Sequence, residues 1–93
     1  MIIGTARIYL SADWVHSLKE KRTIVKSIIA KTRNKFNVSI SEIDKHDFHQ
    51  SIVIGIACVT NEVSHANSEV QKTINFIEDN TEAVLDNYEI EIL

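Results

Sequence analysis

A cluster of cationic side chains is the feature of this sequence best suited to chemistry. Seven of the ten lysines and arginines fall within residues 19–35. Only Glu20 offers an acidic partner in the same segment, so a helix formed there would present positive charge to the phosphates of a nucleic acid. The alternative interpretation is an ordinary solvated helix face. Four residues, which we call the basic face, fall within an arc of about 60° on a wheel of 100° per residue: Lys19, Arg22, Lys26 and Arg33.

The net charge of the whole chain conceals this cluster. The formal charge is −3 over 93 residues. Up to Phe36, eight basic residues face two acidic ones, a balance of +6, whereas beyond it two basic residues face eleven acidic ones, a balance of −9. The first part favours an anionic partner, and the acidity of the second part is the main argument against nucleic acid.

Other reactive residue types give weaker indications. His46 and His49 stand among aspartates, but in a hairpin the two imidazoles would diverge, and no further Cys/His pair completes a ligand set, so we expect no metal. Glu42 and Asp47 could approach each other near the same hairpin, yet such carboxylates are more often solvated than catalytic. Cys58 has no histidine at a recognisable spacing and is expected to be a small buried side chain.

Motifs for enzymatic catalysis are missing from the sequence. Gly4 and Gly55 both lie within apolar alternations and not in a phosphate-binding loop, and there is no nucleophile elbow. We therefore expect a protein that is not an enzyme and needs no cofactor. The single cysteine excludes an intramolecular disulfide, which favours a reducing, cytoplasmic compartment. The apolar residues at the N-terminus are interrupted and lack a basic leader, so no membrane partner is expected.

Hydrophobic periodicity predicts the elements that must position these residues. Period-two alternation predicts strands over 2–10, 36–41 and 84–93, and a continuous apolar run predicts a central strand over 50–60. Glu42 and Ile43 break the alternation of the second strand, which predicts a bulge or strand end. Ser17 and Glu20 form a capping box ahead of a helix over about 18–34, and Asn61 is the predicted N-cap of a helix ending near Asn80.

The order β-α-β-β-α-β is typical of the ferredoxin-like α+β sandwich, with a four-stranded antiparallel sheet and two helices on one face. The chain length allows one domain, residues 1–93. The first and third strands are the most apolar and are predicted to be central. Their outer face carries Arg7, Tyr9, Val53 and Ala57 and is typical of a contact surface, most simply that of a homodimer. Only Tyr9 could stack on a base there, which disfavours RNA binding by the sheet.

Three segments of the chain resemble the YlxP-like family of small bacterial proteins, known as domain of unknown function 503. The first is SLKEKR at 17–22, the second is KFNVSISE at 35–42, and the third is the pair Asp47 and Gln50 ahead of the apolar strand. The resemblance runs from residue 2 to about 76. It makes Glu42, Asp47 and Gln50 second-rank site candidates.

The resemblance implies a ferredoxin-like fold in a cytoplasmic bacterial protein. It also implies a gene often found among those for transcription antitermination and translation initiation. The leading hypothesis is an accessory protein that binds RNA or a ribosomal particle through the basic face. The alternative is a homodimeric interaction module that uses the open sheet face. Acylphosphatases share the topology but cradle phosphate in a glycine-containing loop after the first strand, and residues 11–16 contain no glycine.

Overall fold

The computed structural model describes all 93 residues, Met1 to Leu93. The elements follow the predicted order: β1 (Ile2–Ser11), α1 (Leu18–Lys35), β2 (Ser39–Asp44), β3 (Ser51–Thr60), α2 (Val63–Asp79) and β4 (Val84–Ile92). The chain is therefore an α+β protein with the ferredoxin-like βαββαβ arrangement, as its periodicity indicated.

The sheet has four antiparallel strands in the order β2-β3-β1-β4, which confirms that β1 and β3 are central. β1 pairs with β3 along its whole length, from Ile2 opposite Thr60 to Ser11 opposite Ser51. The helices pack on the inner face, α1 beside β2 and α2 beside β1, β3 and β4. The two edge strands consequently lie on opposite flanks of the molecule, with α1 on the β2 flank.

One hydrophobic core lies between the sheet and the helices. Its central strand residues include Ile8 and Ile54, both fully buried and directly opposite each other. Cys58 belongs to this core, as expected from its position in the strand. Gly4 allows β1 to approach α2 closely, because a Cβ atom there would lie 2.9 Å from Val70 Cγ2. Neither helix offers an apolar stretch of the length that a membrane span needs.

The start of α1 matches one half of the predicted capping box. Ser17 is the N-cap, and its hydroxyl accepts a hydrogen bond from the N–H of Glu20 at 3.1 Å. The Glu20 carboxylate lies 3.5 Å from the same hydroxyl instead of reaching back to the backbone. α1 continues to Lys35, and the Phe36 N–H caps it by donating to Thr32 O at 2.8 Å. The strand predicted from Phe36 is therefore wrong at its start, and β2 begins at Ser39.

The predicted N-cap of α2 is also wrong. α2 begins at Val63, and Glu62 is the N-cap without a side-chain hydrogen bond to the helix. Asn61 lies one position too early. The hydroxyl of Thr60 accepts the Glu62 N–H at 3.3 Å, so a threonine turn leads into the helix in place of an asparagine cap.

The bulge predicted near Glu42 is confirmed. Glu42 lies opposite Ile54 and Asp44 opposite Val53, which leaves Ile43 as the extra residue of β2. Glu42 consequently faces α1, while Ile43 lies over the outer face of the sheet. A Cβ atom on Gly55 would come within 2.9 Å of Ile43 Cγ2, so the glycine makes room for that side chain.

Candidate functional site

A buried lysine organises the end of the molecule where α1 begins. Lys21 is 1% exposed, and its Nζ lies 2.8 Å from Glu42 Oε2. The same ammonium donates hydrogen bonds to the backbone oxygens of Lys45 at 2.6 Å and Phe48 at 2.8 Å. A charge removed from water is costly unless it is paired and hydrogen-bonded, and an ammonium has three donors to satisfy. Lys21 therefore joins α1 to β2 and to the β2–β3 turn, residues 45–50.

Lys21 occupies a core position of its helix. It shares a face with Val25, Ile28 and Thr32, all of which are buried, because residues four, seven and eleven positions apart lie on one side of a helix. Its partner Glu42 points toward α1, because the alternation of side chains along β2 up to the bulge places it on the inner face of the sheet, opposite Ile54. Sequence reasoning counted Lys21 among the cations but missed this role, although its spacing to the apolar residues carried the signal.

Gln50 joins the same turn to the loop between β1 and α1. Its Nε2 donates to the backbone oxygens of Asp13 at 2.9 Å and Val15 at 3.2 Å. The backbone carbonyl of Gln50 accepts a hydrogen bond from the N–H of Ala12 at 2.9 Å. Gln50 thus holds the two loops at this end together, while Glu42, which also matches the family pattern, ties β2 to α1 through Lys21. The third, Asp47, is exposed in the turn and takes no part in these contacts.

The β2–β3 turn has a defined backbone of its own. Lys45 adopts a left-handed conformation with φ 53°, and its N–H donates to Asp44 Oδ1 at 2.7 Å. The N–H of Phe48 donates to Lys45 O at 3.1 Å, while the Phe48 side chain is 62% exposed. His46 and His49 are both exposed in this turn. No group of three His, Cys, Asp or Glu side chains is arranged to hold a metal ion.

The basic face is exposed on the flank of α1 that borders β2. The chain has one salt bridge, between Lys21 and Glu42, so the cations of this face are unpaired. Arg33 reaches the edge strand, where its Nη2 donates to Ile40 O at 3.3 Å. Lys31 and Lys35 lie on the other flank of the helix, toward Asn80 O and the Phe76 ring of α2. The exposed residues of the basic face are Lys19, Arg22, Lys26 and Arg33.

The sheet separates this positive charge from the acidic residues of β4. Asp86, Glu89 and Glu91 are exposed on β4, the edge strand farthest from β2. Three strand spacings make about 14 Å, which exceeds the Debye length of about 8 Å at physiological salt. The three acids of β4 therefore have little effect on the potential at the basic face. Asp44 and Asp47, at the end of β2 and in the turn that follows, lie on the same side of the sheet as the basic face and reduce its positive potential.

The outer face of the sheet brings together the residues predicted for a dimer contact. Tyr9 lies opposite Val53, which is only 2% exposed. Arg7 lies opposite Gly55, two residues before Ala57 on the same face of β3. Tyr9 donates a hydrogen bond to Glu89 Oε1 at 2.8 Å. This bond to a carboxylate, aided by desolvation and the charge of Glu89, raises the pKa of Tyr9 above its usual value. A shallow groove of about 510 Å³ runs across this face.

The fold and the loop contacts define a small ferredoxin-like α+β protein in which Lys21 ties the β2–β3 connection to α1 and Gln50 ties it to the β1–α1 connection. The family model described as "Protein of unknown function (DUF503)" matches residues 3–90. The chain is also 45% identical over 62 residues to the "Uncharacterized protein YlxP" of Bacillus subtilis (strain 168), an alignment covering 67% of each chain. The chain belongs to the DUF503 family, as its three motif segments indicated.

Proposed function

We propose that this protein is a non-enzymatic accessory factor that binds RNA or a ribonucleoprotein through the basic face of α1. The observation that carries the proposal is that four exposed cations lie on one helix flank without an acidic partner. Like charges at i and i+4, such as Arg22 and Lys26, repel each other on an isolated helix. An anionic polymer relieves that repulsion and releases counterions when it binds.

The shape of the surface also supports a polyanion. The basic face follows the helix axis, and the 14 residue-to-residue steps from Lys19 to Arg33 correspond to about 21 Å at 1.5 Å per step. That length suits several successive phosphates of one strand and exceeds the size of a small phosphorylated metabolite. The gene setting implied by the family resemblance is consistent with a cytoplasmic role in translation or ribosome maturation.

The proposal is tested by comparing charge reversals on the two flanks of the protein. The variant Arg22→Glu/Lys26→Glu changes the basic face, and Lys31→Glu/Lys72→Glu makes the same change in net charge elsewhere. Binding to purified ribosomal subunits and to a structured RNA is measured at fixed salt. We expect the first variant to lose at least about tenfold in affinity and the second to stay close to wild type. Equal affinities for all three proteins would overturn the proposal.

A second candidate function is self-association through the outer face of the sheet. It is favoured by the exposed side chains of Ile43 and Val59, which are 42% and 68% exposed, and by the acidic Glu89 lying opposite Arg7 on that face. Two copies related by a twofold axis would each offer both charges to the other. Sedimentation at increasing concentration tests this, with Ala57→Arg expected to give monomers and Val63→Arg on α2 as the control. A wild-type protein that stays monomeric would exclude it.

A further inference from the structure

The β2–β3 turn is held more firmly than an exposed turn requires. Lys21 fixes the carbonyls of Lys45 and Phe48, and a backbone hydrogen bond closes the turn between these two residues. A buried ion pair adds little net stability compared with well-packed apolar side chains. The main consequence of placing a lysine at this core position is therefore a fixed geometry for the turn.

The fixed turn presents an aromatic ring to solvent. Phe48 is 62% exposed, so much of its apolar surface stays in contact with water in the free protein. The ammonium of Lys45 lies 5.9 Å from the centre of the ring. Bases of single-stranded nucleic acid stack on exposed aromatic rings, and a ring whose backbone is already ordered loses less entropy on binding.

The turn and the basic face belong to one side of the molecule. Lys21 anchors the turn from the N-terminal end of α1, the end that also carries Lys19 and Arg22 on its exposed flank. Arg33 contacts the backbone of β2, an edge strand, and β2 leads directly into the turn. A strand that follows the basic face toward the N-terminus of α1 therefore arrives at the turn.

The charges of the turn decide what it can recognise. Lys45 is accompanied by Asp44 and Asp47, so the turn adds no net positive charge for a phosphate. Its distinctive group is the ring of Phe48. The other exposed aromatic of this end, Trp14, lies beside Ile24 and Lys31 on the α2 flank, away from the basic face.

We infer that Phe48 is a stacking platform for an unpaired base, so that the RNA bound by this protein carries a single-stranded loop or bulge next to the backbone segment held by the basic face. This inference rests on the proposed function and adds the class of RNA to it. Duplex RNA without unpaired bases would engage the basic face alone.

The test compares two RNAs of equal length, a hairpin with an unpaired loop and a blunt duplex. Phe48→Leu keeps an apolar side chain but removes the ring, and Phe48→Tyr keeps the ring. We expect Phe48→Leu to bind the hairpin about tenfold more weakly than wild type and to bind the duplex as wild type does. Phe48→Tyr should bind both RNAs like wild type. Trp14→Leu is the matched control and should change neither affinity.

The outcomes separate the inference from the proposed function. If wild type binds both RNAs and Phe48→Leu leaves hairpin binding unchanged, the stacking platform is refuted while binding through the basic face stands. An equal loss on hairpin and duplex also refutes it, because the ring would then not distinguish unpaired bases. If wild type binds neither RNA, the proposed function itself fails. Thermal unfolding of each variant confirms that it is folded.

Discussion

Lys21 Nζ and Glu42 Oε2 lie 2.8 Å apart and join the first helix to the second strand of the sheet. Each residue comes from one of the three segments that carried the family resemblance, Lys21 from SLKEKR and Glu42 from KFNVSISE. The two motifs are thus parts of a single contact, which places the β2–β3 turn against the N-terminal end of α1.

Removing the lysine should destabilise the fold strongly. In Lys21→Met, Glu42 and the turn carbonyls lose their partner, so we expect the free energy of unfolding to fall by about 3–5 kcal/mol. In Glu42→Gln the Lys21 ammonium keeps its backbone carbonyl partners, so the free energy of unfolding should fall by only about 1–3 kcal/mol. Urea unfolding measures both. Lys26→Met on the exposed flank is the control and should stay within about 0.5 kcal/mol; a Lys21→Met protein as stable as this control would contradict the structural role.

Removing the Gln50 side chain should loosen one loop without unfolding the protein. Gln50→Ala loses the hydrogen bonds to Asp13 O and Val15 O, so local opening of the loop becomes easier. We expect faster amide hydrogen exchange in residues 13–17 and little change in the core strands. Asp47→Ala, which removes no such contact, should exchange like wild type. Unchanged exchange in Gln50→Ala would show that these bonds do not hold the loop.

The two glycines should respond unequally to an added methyl group. At Gly4, a Cβ atom would meet Val70, Ala66 and Cys58 within 3.2 Å, all inside the core, so Gly4→Ala should cost about 1–3 kcal/mol of stability. At Gly55, the close neighbour is the side chain of Ile43, which is 42% exposed and can rotate away. Chemical denaturation of Gly4→Ala and Gly55→Ala measures the difference, and the opposite order of stabilities would refute this packing.

The hydrogen bond of Tyr9 to Glu89 predicts a dependence on alkaline pH. Because the pKa of Tyr9 is raised in the folded protein, its protonated hydroxyl favours folding. The contribution is present below about pH 10, the usual tyrosine pKa, and is lost as pH rises through the folded pKa. In a Tyr88→Phe background, the ultraviolet titration of Tyr9 should have its midpoint above 10, and Glu89→Gln should lower it. A midpoint at or below the usual value would contradict the bond.

Local patterns were sufficient to predict most of the fold. Packing in this fold reinforces the local preferences of the period-two runs, the Ser17 cap and the apolar β3 segment. These patterns therefore predicted the order of the elements and the identity of the central strands. The prediction of Asn61 as the N-cap was wrong because α2 begins one residue later than expected, with Glu62 as the N-cap. The N–H of Glu62 donates to the Thr60 hydroxyl in the turn before the helix. The structural role of Lys21 could not be predicted from its residue type. Its partners come from β2 and the following turn, and only the folded chain brings them together with Lys21.

The most direct test of RNA binding by the basic face is the salt dependence of affinity. Four phosphate contacts predict a slope of log K against log salt of about −3 for wild type, since each contributes about 0.7 to 0.9. For Arg22→Gln/Lys26→Gln we expect about half that slope, and for the control Lys31→Gln/Lys72→Gln the wild-type value. A wild-type slope near zero, or one that the first variant leaves unchanged, would contradict the claim that this face binds the phosphate backbone.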